Sequence, residues 1–135
     1  MKGKILLIDD DVHILDELSL FLRRHDFAVL TAALPSLGLE IFFQEEPDLV
    51  LLDMRMPGMD GRSVMERIRQ EDPFTQIILI SGTIHNRDAL ELLSNGAFTF
   101  FSKPLDLFFL KHTIEKGLEF TRMKKELALL KGETI

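Results

Sequence analysis

Two short apolar runs in this sequence end in acidic residues, and this pattern constrains the fold more than any other. The runs cover residues 5–8 and 49–52, and each precedes a segment with helical spacing. Short apolar runs that alternate with helical segments are typical of buried parallel strands. The acidic residues at their ends are Asp9, Asp10 and Asp11 after the first run and Asp53 after the second. If the two strands are neighbours, these carboxylates lie in one pocket outside the carboxyl ends of the strands, where such sheets bind ligands.

Carboxylates held this close repel one another unless a cation lies between them. A hard cation that prefers oxygen ligands, such as Mg2+, suits a site made of carboxylates. The pattern therefore predicts a magnesium site at the ends of two neighbouring strands.

The composition fits one compact domain. A chain of 135 residues with 46% hydrophobic residues can bury one core. The net charge of −6 argues against direct nucleic-acid binding by this chain, and the absence of cysteine excludes disulfides and thiolate metal sites. No apolar run approaches the roughly 20 residues that span a membrane, and no export signal precedes the first strand. We therefore expect a soluble, cytoplasmic protein without a membrane partner.

Apolar and helical patterns alternate along the chain and predict five strand–helix units. The strands are expected at residues 4–8, 28–32, 49–53, 76–81 and 98–102, and the helices at 12–25, from 35, at 62–70, at 87–94 and after 104. Strict alternation with short connections implies a parallel sheet with right-handed crossovers. We expect one domain over residues 1–120, followed at 121–135 by a helical extension or the start of a linker.

Residues at the strand ends resemble a known family. The matching segments are Ile8–Asp11, Asp53–Gly61, Ser81–Gly82 and Phe100–Pro104. Together, in this order and spacing, they resemble the receiver domain of two-component response regulators over about residues 3–120. The resemblance implies an α/β fold with a doubly wound, five-stranded parallel sheet in the order 2-1-3-4-5, the flavodoxin-like order of which a chemotaxis member of this family is a known example. Strands one and three then flank the site.

The resemblance assigns a role to each acidic residue. It implies that Asp53 is the phosphoacceptor, that Asp10 binds Mg2+ directly, and that Asp9 acts through the water shell of the metal. The backbone carbonyl of Arg55 would supply a further oxygen ligand. Asp11 is instead expected to cap the first helix.

The resemblance also implies residues that respond to phosphorylation. Lys103 would pair with Asp53 and later with the phosphoryl oxygens, Ser81 would donate its hydroxyl to the phosphoryl group, and Phe100 would change rotamer. A cis bond is expected before Pro104. Arg55 and Thr83 flank the path of water to the phosphoryl group and are expected to tune the lifetime of the phosphorylated state.

These assignments predict a signalling switch rather than a metabolic enzyme, one that catalyses only its own phosphorylation and dephosphorylation. Its donor would be a sensor histidine kinase or a phosphotransfer protein. An alternative is a receiver-like interaction module that is never phosphorylated. A magnesium-dependent phosphohydrolase is disfavoured because Arg55 stands where that class carries an acid–base aspartate. A dinucleotide-binding domain is excluded because the first turn lacks a glycine-rich phosphate loop.

Two further patterns predict contact surfaces that could support a homodimer. Phe108 and Phe109 fall outside the core spacing of the last helix, so we expect them on the face formed by the fourth helix, fifth strand and last helix, unless both rings tuck under the preceding loop. The last helix should continue through residues 115–131. Along it, a coiled-coil spacing joins Phe120, Met123, Leu127 and Leu130. We expect this segment to act as a parallel signalling helix that relays the state of Asp53 by packing between chains or against an output domain. A solvated tail and packing back on the domain are the alternatives.

Overall fold

The computed structural model describes residues 2–56, 58–82 and 86–132. The strands are β1 (Gly3–Ile8), β2 (Phe27–Ala32), β3 (Leu49–Asp53), β4 (Gln76–Ser81) and β5 (Thr99–Ser102). The helices are α1 (Val12–Arg24), α2 (Pro35–Glu45), α3 (Gly61–Glu71), α4 (Asn86–Ser94) and α5 (Leu107–Leu130). All ten predicted elements are present, with bounds that differ by a few residues at most.

The five strands form one parallel sheet in the order β2-β1-β3-β4-β5, which confirms the predicted fold class. β1 pairs directly with β3, and Ile8 lies opposite Leu52. The acidic residues that follow Ile8 and Leu52 therefore lie next to each other at the carboxyl ends of β1 and β3, as the strand pattern predicts.

Successive side chains of the strands point to opposite faces of the sheet, which divides the core into two clusters. Ile5, Leu7, Leu49 and Leu51 pack on the side of α1 and α5. Their neighbours in the chain pack on the side of α2 and α3, and they include Leu6, Ile8, Val50 and Leu52. Because helices cover both faces, the middle of each central strand is apolar, and polar side chains lie at the strand ends.

The helix that follows β1 is capped as predicted. Oδ1 of Asp11 accepts hydrogen bonds from the backbone N–H groups of His13 and Ile14, at 3.0 and 3.3 Å. These bonds satisfy two of the free N–H groups that every helix has at its start. Asp11 is thus committed to the helix, and the two preceding carboxylates remain for the site.

The last helix continues ten residues past position 120, to Leu130. One of its faces packs on the amino-terminal edge of the sheet, where the backbone N–H of Gln76 donates to Oγ1 of Thr121 at 3.2 Å. Lys124 reaches the backbone oxygen of Pro73 at 3.4 Å, and Ala128 is buried. The part of the chain that the structure describes contains no helix long and apolar enough to cross a membrane.

Phe108 and Phe109 are both exposed, at 71% and 61%, so neither ring is hidden under the preceding loop. The two rings contact different neighbours. Phe109 stands edge-on to Phe101 of β5, on the predicted face. Phe108 stands edge-on to Phe21 of α1, with ring centroids 5.4 Å apart. The placement of Phe108 on the face of α4, β5 and α5 is therefore wrong, because adjacent helix residues point about 100° apart and this one turns toward α1.

Candidate functional site

Three carboxylates converge beyond the carboxyl ends of β1 and β3. Oxygen atoms of Asp9, Asp10 and Asp53 all lie within 4.8 Å of one another. Asp9 and Asp53 are buried, whereas Asp10 is exposed. The site is therefore open to solvent on the side where Asp10 lies.

Backbone N–H groups orient the two buried carboxylates. Oδ1 of Asp9 accepts from the N–H of Asp11 at 2.9 Å, and Oδ1 of Asp53 accepts from the N–H of Arg55 at 3.3 Å. Each bond occupies one carboxylate oxygen. Oδ2 of both residues turns instead toward the same cation, Lys103.

Lys103 lies between the two buried carboxylates. Its Nζ is 3.3 Å from Oδ2 of Asp9 and 3.8 Å from Oδ2 of Asp53. The backbone N–H of Lys103 donates to the carbonyl of Ser81, and a cis bond links Lys103 to Pro104, as the resemblance implies. The sequence pairs this lysine with Asp53 alone, and its shorter contact with Asp9 was missed.

The environment of Asp53 raises the pKa of its carboxyl group to about 6. Burial is the largest cause, and the nearby negative charge of Asp9 adds to it. The hydrogen bond from the N–H of Arg55 and the positive charge of Lys103 act in the opposite direction. A carboxylate poised in this way gains from any added cation, because a cation removes the repulsion that Asp9 imposes.

The remaining predicted site residues lie at different depths. Ser81 is buried at the end of β4, next to Ile80, which pairs with Asp53 in the sheet. Phe100 of β5 is half-buried against the core cluster on the side of α2 and α3. The side chain of Arg55, two residues after Asp53, is exposed. Thr83 lies outside the described residues.

Gly61 is a site residue that sequence reasoning missed. Its backbone N–H donates to the carbonyl of Met54 at 3.0 Å, which closes the loop between β3 and α3. A Cβ at this position would lie 2.8 Å from the Cα of Met54 and 2.9 Å from the carbonyl oxygen of Asp53. The only sequence signal was the Asp60-Gly61 pair, which marked the end of the loop but not this close approach.

The donor set of the site is suited to a hard cation. All three converging side chains offer carboxylate oxygen, which Mg2+ and Ca2+ prefer and which softer metals do not. Their three negative charges face one ammonium group, so a divalent cation would balance the site. Asp9, Asp10 and Asp53 could therefore hold a metal ion.

Comparisons with known proteins agree with this architecture. The family model described as "Response regulator receiver domain" matches residues 5–115. The chain is 33% identical over 118 residues to sporulation initiation phosphotransferase F of Bacillus subtilis, covering 87% of this chain and 95% of that protein. It is also 33% identical over 125 residues to the regulatory protein AtoC of Escherichia coli, covering 93% of this chain but only 27% of AtoC.

Solved structures show the same relationship. A CheY-like receiver domain protein from Methanospirillum hungatei superimposes with a TM-score of 0.85 at 27% identity, covering 90% of this chain and 97% of that one. NtrX from Brucella abortus gives a TM-score of 0.89 at 29% identity, covering 96% of this chain and 30% of NtrX. Like AtoC, NtrX is far longer than the segment it shares with this chain. On the sheet order, the acidic site and the extent of these matches, the chain belongs to the response regulator receiver domain family of two-component systems.

Proposed function

We propose that Asp53 accepts a phosphoryl group from the phosphohistidine of a sensor histidine kinase or a phosphotransfer protein. The observation that carries this proposal is the convergence of Asp9, Asp10 and Asp53 at the carboxyl ends of the strands, where such folds bind ligands, with Lys103 paired to Asp9 and Asp53. Phosphoryl transfer depends on positioning and charge neutralisation, and this arrangement provides both.

In the proposed reaction, Oδ2 of Asp53 attacks phosphorus while the bond between phosphorus and the histidine nitrogen breaks. The electron pair of that bond stays on the imidazole, and Asp53 becomes an acyl phosphate. Lys103 lies 3.8 Å from the attacking oxygen and pairs with the phosphoryl oxygens that arrive there. Ser81, at the end of the adjacent strand, donates its hydroxyl to the same group.

Mg2+ would be held by Asp10 and Asp53, with Asp9 contacting its water shell and the backbone carbonyl of Arg55 as a further ligand. Mg2+ usually keeps several waters and needs only one or two carboxylates, so this set is sufficient. When bound, the metal neutralises the charge that gathers on the phosphoryl oxygens.

The return reaction is hydrolysis, in which water attacks phosphorus and the bond to Asp53 breaks to release inorganic phosphate. Arg55, which is exposed two residues after Asp53, is proposed to control access of that water. Thr83 is proposed for the same role. The protein thus acts as a switch, and its output would follow from surfaces whose shape changes with the state of Asp53, Ser81 and Phe100.

Treatment with Mg2+ and acetyl phosphate tests this function. One acid-labile phosphoryl group should form on Asp53, detected by intact mass and by reductive trapping with borohydride. Asp53→Asn should abolish labelling, and Asp10→Asn should weaken Mg2+ binding. Asp11→Asn is the matched control, because Asp11 caps α1 and an asparagine retains the capping oxygen.

The expected pattern is loss of labelling in the first variant, weakened Mg2+ dependence in the second and unchanged labelling in the third. A folded wild-type protein that stays unlabelled both by acetyl phosphate and by phosphorylated kinases would favour the phosphorylation-independent interaction module instead. Labelling at a single residue other than Asp53 would also overturn the assignment.

A further inference from the structure

The two sides of α5 beyond Glu119 have opposite environments. Thr121 and Ala128 are each only 3% exposed because they pack on the amino-terminal edge of the domain. The residues with coiled-coil spacing are instead largely exposed, and we call them the α5 seam: Phe120, Met123, Leu127 and Leu130, at 42, 62, 52 and 85% exposed. Phe120, the first of them, also contacts Phe98 of the domain, with ring centroids 5.8 Å apart. An exposed apolar stripe on a helix that already packs on its own domain usually marks a contact site for another protein chain.

Helical phase separates the seam from the face that packs on the domain. At about 100° per residue, the direction midway between Thr121 and Ala128 points roughly 130° away from the centre of the α5 seam. The domain therefore supports the helix from behind and leaves the seam accessible. Packing on the domain already orders this part of α5. Even a short seam can therefore pair without the entropy cost of forming an isolated helix.

The charged residues on either side of the α5 seam determine which helix, and in which orientation, can pair with it. With Phe120 and Leu127 at heptad position a, and Met123 and Leu130 at d, Glu119 and Glu126 occupy g. Lys124 and Lys131 occupy e. In a parallel pair of helices, each g residue faces the e residue five positions later on the partner helix. Glu126 then faces Lys131, and Glu119 faces Lys124, whose Nζ also lies 3.4 Å from the carbonyl oxygen of Pro73 in its own chain. Both flanking pairs are of opposite charge.

An antiparallel pair has the opposite result. There, g residues face g residues and e residues face e residues, so glutamates oppose glutamates and lysines oppose lysines. Both orientations bury the same apolar side chains. The flanking charges therefore discriminate between them, and they favour the parallel one.

We propose that the α5 seam binds the α5 seam of a second copy of this chain, in a parallel, in-register pair. The occupant is a second copy because its helix carries the same apolar stripe and the complementary charges in the required order. This surface is distinct from the phosphoacceptor site, and the pairing holds whether or not Asp53 is the acceptor.

Charge exchange at one g–e pair tests the orientation. Glu126→Lys places lysine opposite Lys131 of the other chain, and Lys131→Glu places glutamate opposite Glu126. By symmetry each single variant converts two attractive pairs into repulsive ones, so its dimer should be weaker by about five- to thirtyfold. An equimolar mixture of the two single variants restores both attractive pairs, as does the double variant. Both should regain wild-type self-association in sedimentation equilibrium.

The effect should shrink in high salt, since the pairs are exposed. In an antiparallel pair, Glu126→Lys would relieve repulsion and strengthen association, which would overturn the proposed orientation. Monomeric wild-type protein over the accessible concentration range would overturn the pairing itself, provided the cross-linking below agrees.

Single cysteines test the register, because the chain has none of its own. Met123→Cys and Leu127→Cys each place a thiol beside its copy in a parallel, in-register pair, and both should form a disulfide-linked dimer under mild oxidation. Lys125→Cys is the matched control, since it lies on the face that packs on the domain and should stay unlinked. Cross-linking at Lys125 equal to that at Met123 and Leu127, or none at any position, would overturn the proposal. Circular dichroism of each variant verifies that the domain is folded.

Discussion

Nζ of Lys103 lies 3.3 Å from Oδ2 of Asp9, nearer than to Oδ2 of Asp53 at 3.8 Å. One ammonium group therefore pairs with both buried carboxylates. Because Asp9 raises the pKa of Asp53 and Lys103 lowers it, the lysine offsets the repulsion between the two acids.

Replacing Lys103 should damage the acceptor through this electrostatic balance. In Lys103→Gln we expect the pKa of Asp53 to rise above its value of about 6, and labelling by acetyl phosphate at pH 7 to slow by about tenfold or more. Carbon-13 NMR of the carboxyl groups measures the first effect and mass spectrometry the second. Lys111→Gln removes a partly buried ion pair with Glu115 within α5 and serves as the control. An unchanged titration of Asp53 in Lys103→Gln would contradict this account.

Asp53→Asn should stabilise the folded protein in the absence of divalent cations. The folded state holds the proton of Asp53 more tightly than the unfolded chain, whose carboxyl has an ordinary pKa of 3.8. Ionised Asp53 therefore costs stability above pH 6, and this cost vanishes as the pH falls toward 4. We expect the variant to exceed wild type by about 1 to 2 kcal/mol at pH 7.5 in urea unfolding with a chelator present.

The stability gap between Asp53→Asn and wild type should close below about pH 4, where Asp53 is protonated in both states. Added Mg2+ should raise the stability of wild type and leave the variant little changed. A variant less stable than wild type at pH 7.5 would show that Asp53 contributes net attraction rather than repulsion.

Strand and helix positions could be read from the sequence because each depends on local periodicity. The convergence of Asp9, Asp10 and Asp53 could also be predicted, since all three follow strands that pair in a parallel sheet. Closer detail depends on side-chain paths between distant segments. The contact between Lys103 and Asp9 joins residues 94 positions apart, and no local pattern encodes its distance.

The sequence predicted less well which neighbouring element each residue of α5 faces. Apolar spacing in α5 identifies Leu107, Leu110, Ile114 and Leu118 as core residues. The last three are buried, and Leu107 is half-buried against the same cluster. It does not say which neighbour each outward residue meets, so Phe108 was assigned to the wrong face. The contact of Thr121 with Gln76 was missed for the same reason, because a lone threonine in a helix gives no sign of its partner.

Asp72, in the turn between α3 and β4, should stabilise the folded protein at neutral pH and lose this effect in acid. Burial alone would raise the pKa of this carboxyl, but hydrogen bonds from Thr75 N–H, Thr75 Oγ1 and Phe74 N–H outweigh it, and the net pKa is lowered. Asp72→Ala should therefore cost about 1 to 3 kcal/mol at pH 7.

The contribution of Asp72 is present above the ordinary carboxyl pKa of 3.8 and is lost as the pH falls through the lowered value. The difference between wild type and Asp72→Ala in thermal unfolding should thus narrow below pH 4. Glu71→Ala is the neighbouring control, because its ion pair with Arg67 is exposed and should contribute little. A difference that widens in acid would contradict the lowered pKa.

Phe109 and Phe108 should differ in their effect on association driven by phosphorylation. Phe109 contacts Phe101 of β5 and is exposed, with Leu90 of α4 also exposed, so it belongs to the face of α4, β5 and α5. If that face forms a dimer, Phe109→Glu should abolish the increase in association caused by beryllofluoride. Phe108→Glu, which faces α1, should leave the increase intact. Analytical ultracentrifugation distinguishes the two, and equal behaviour of both variants would exclude this face.

Gly61 should prove to be a positioning residue for the metal and the acceptor. A Cβ there would meet the Cα of Met54 at 2.8 Å and the carbonyl oxygen of Asp53 at 2.9 Å, and backbone atoms cannot move aside as a side chain can. Gly61→Ala should therefore displace the segment that carries Asp53 and the carbonyl of Arg55. We expect Mg2+ affinity and the rate of labelling by acetyl phosphate to fall together, each by about tenfold.

Gly117→Ala is the matched control, because a Cβ there meets Cδ1 of Leu49 at 2.6 Å, the far end of a side chain remote from the site. Both variants lose some stability through crowding, so thermal unfolding alone cannot separate the two roles. The Mg2+ titration can, because only displacement of the loop after β3 alters the ligands. Wild-type Mg2+ affinity in a folded Gly61→Ala protein would reduce Gly61 to a packing residue. Weakened Mg2+ affinity in Gly61→Ala, with normal affinity in Gly117→Ala, would show that the loop after β3 keeps its position because residue 61 has no Cβ.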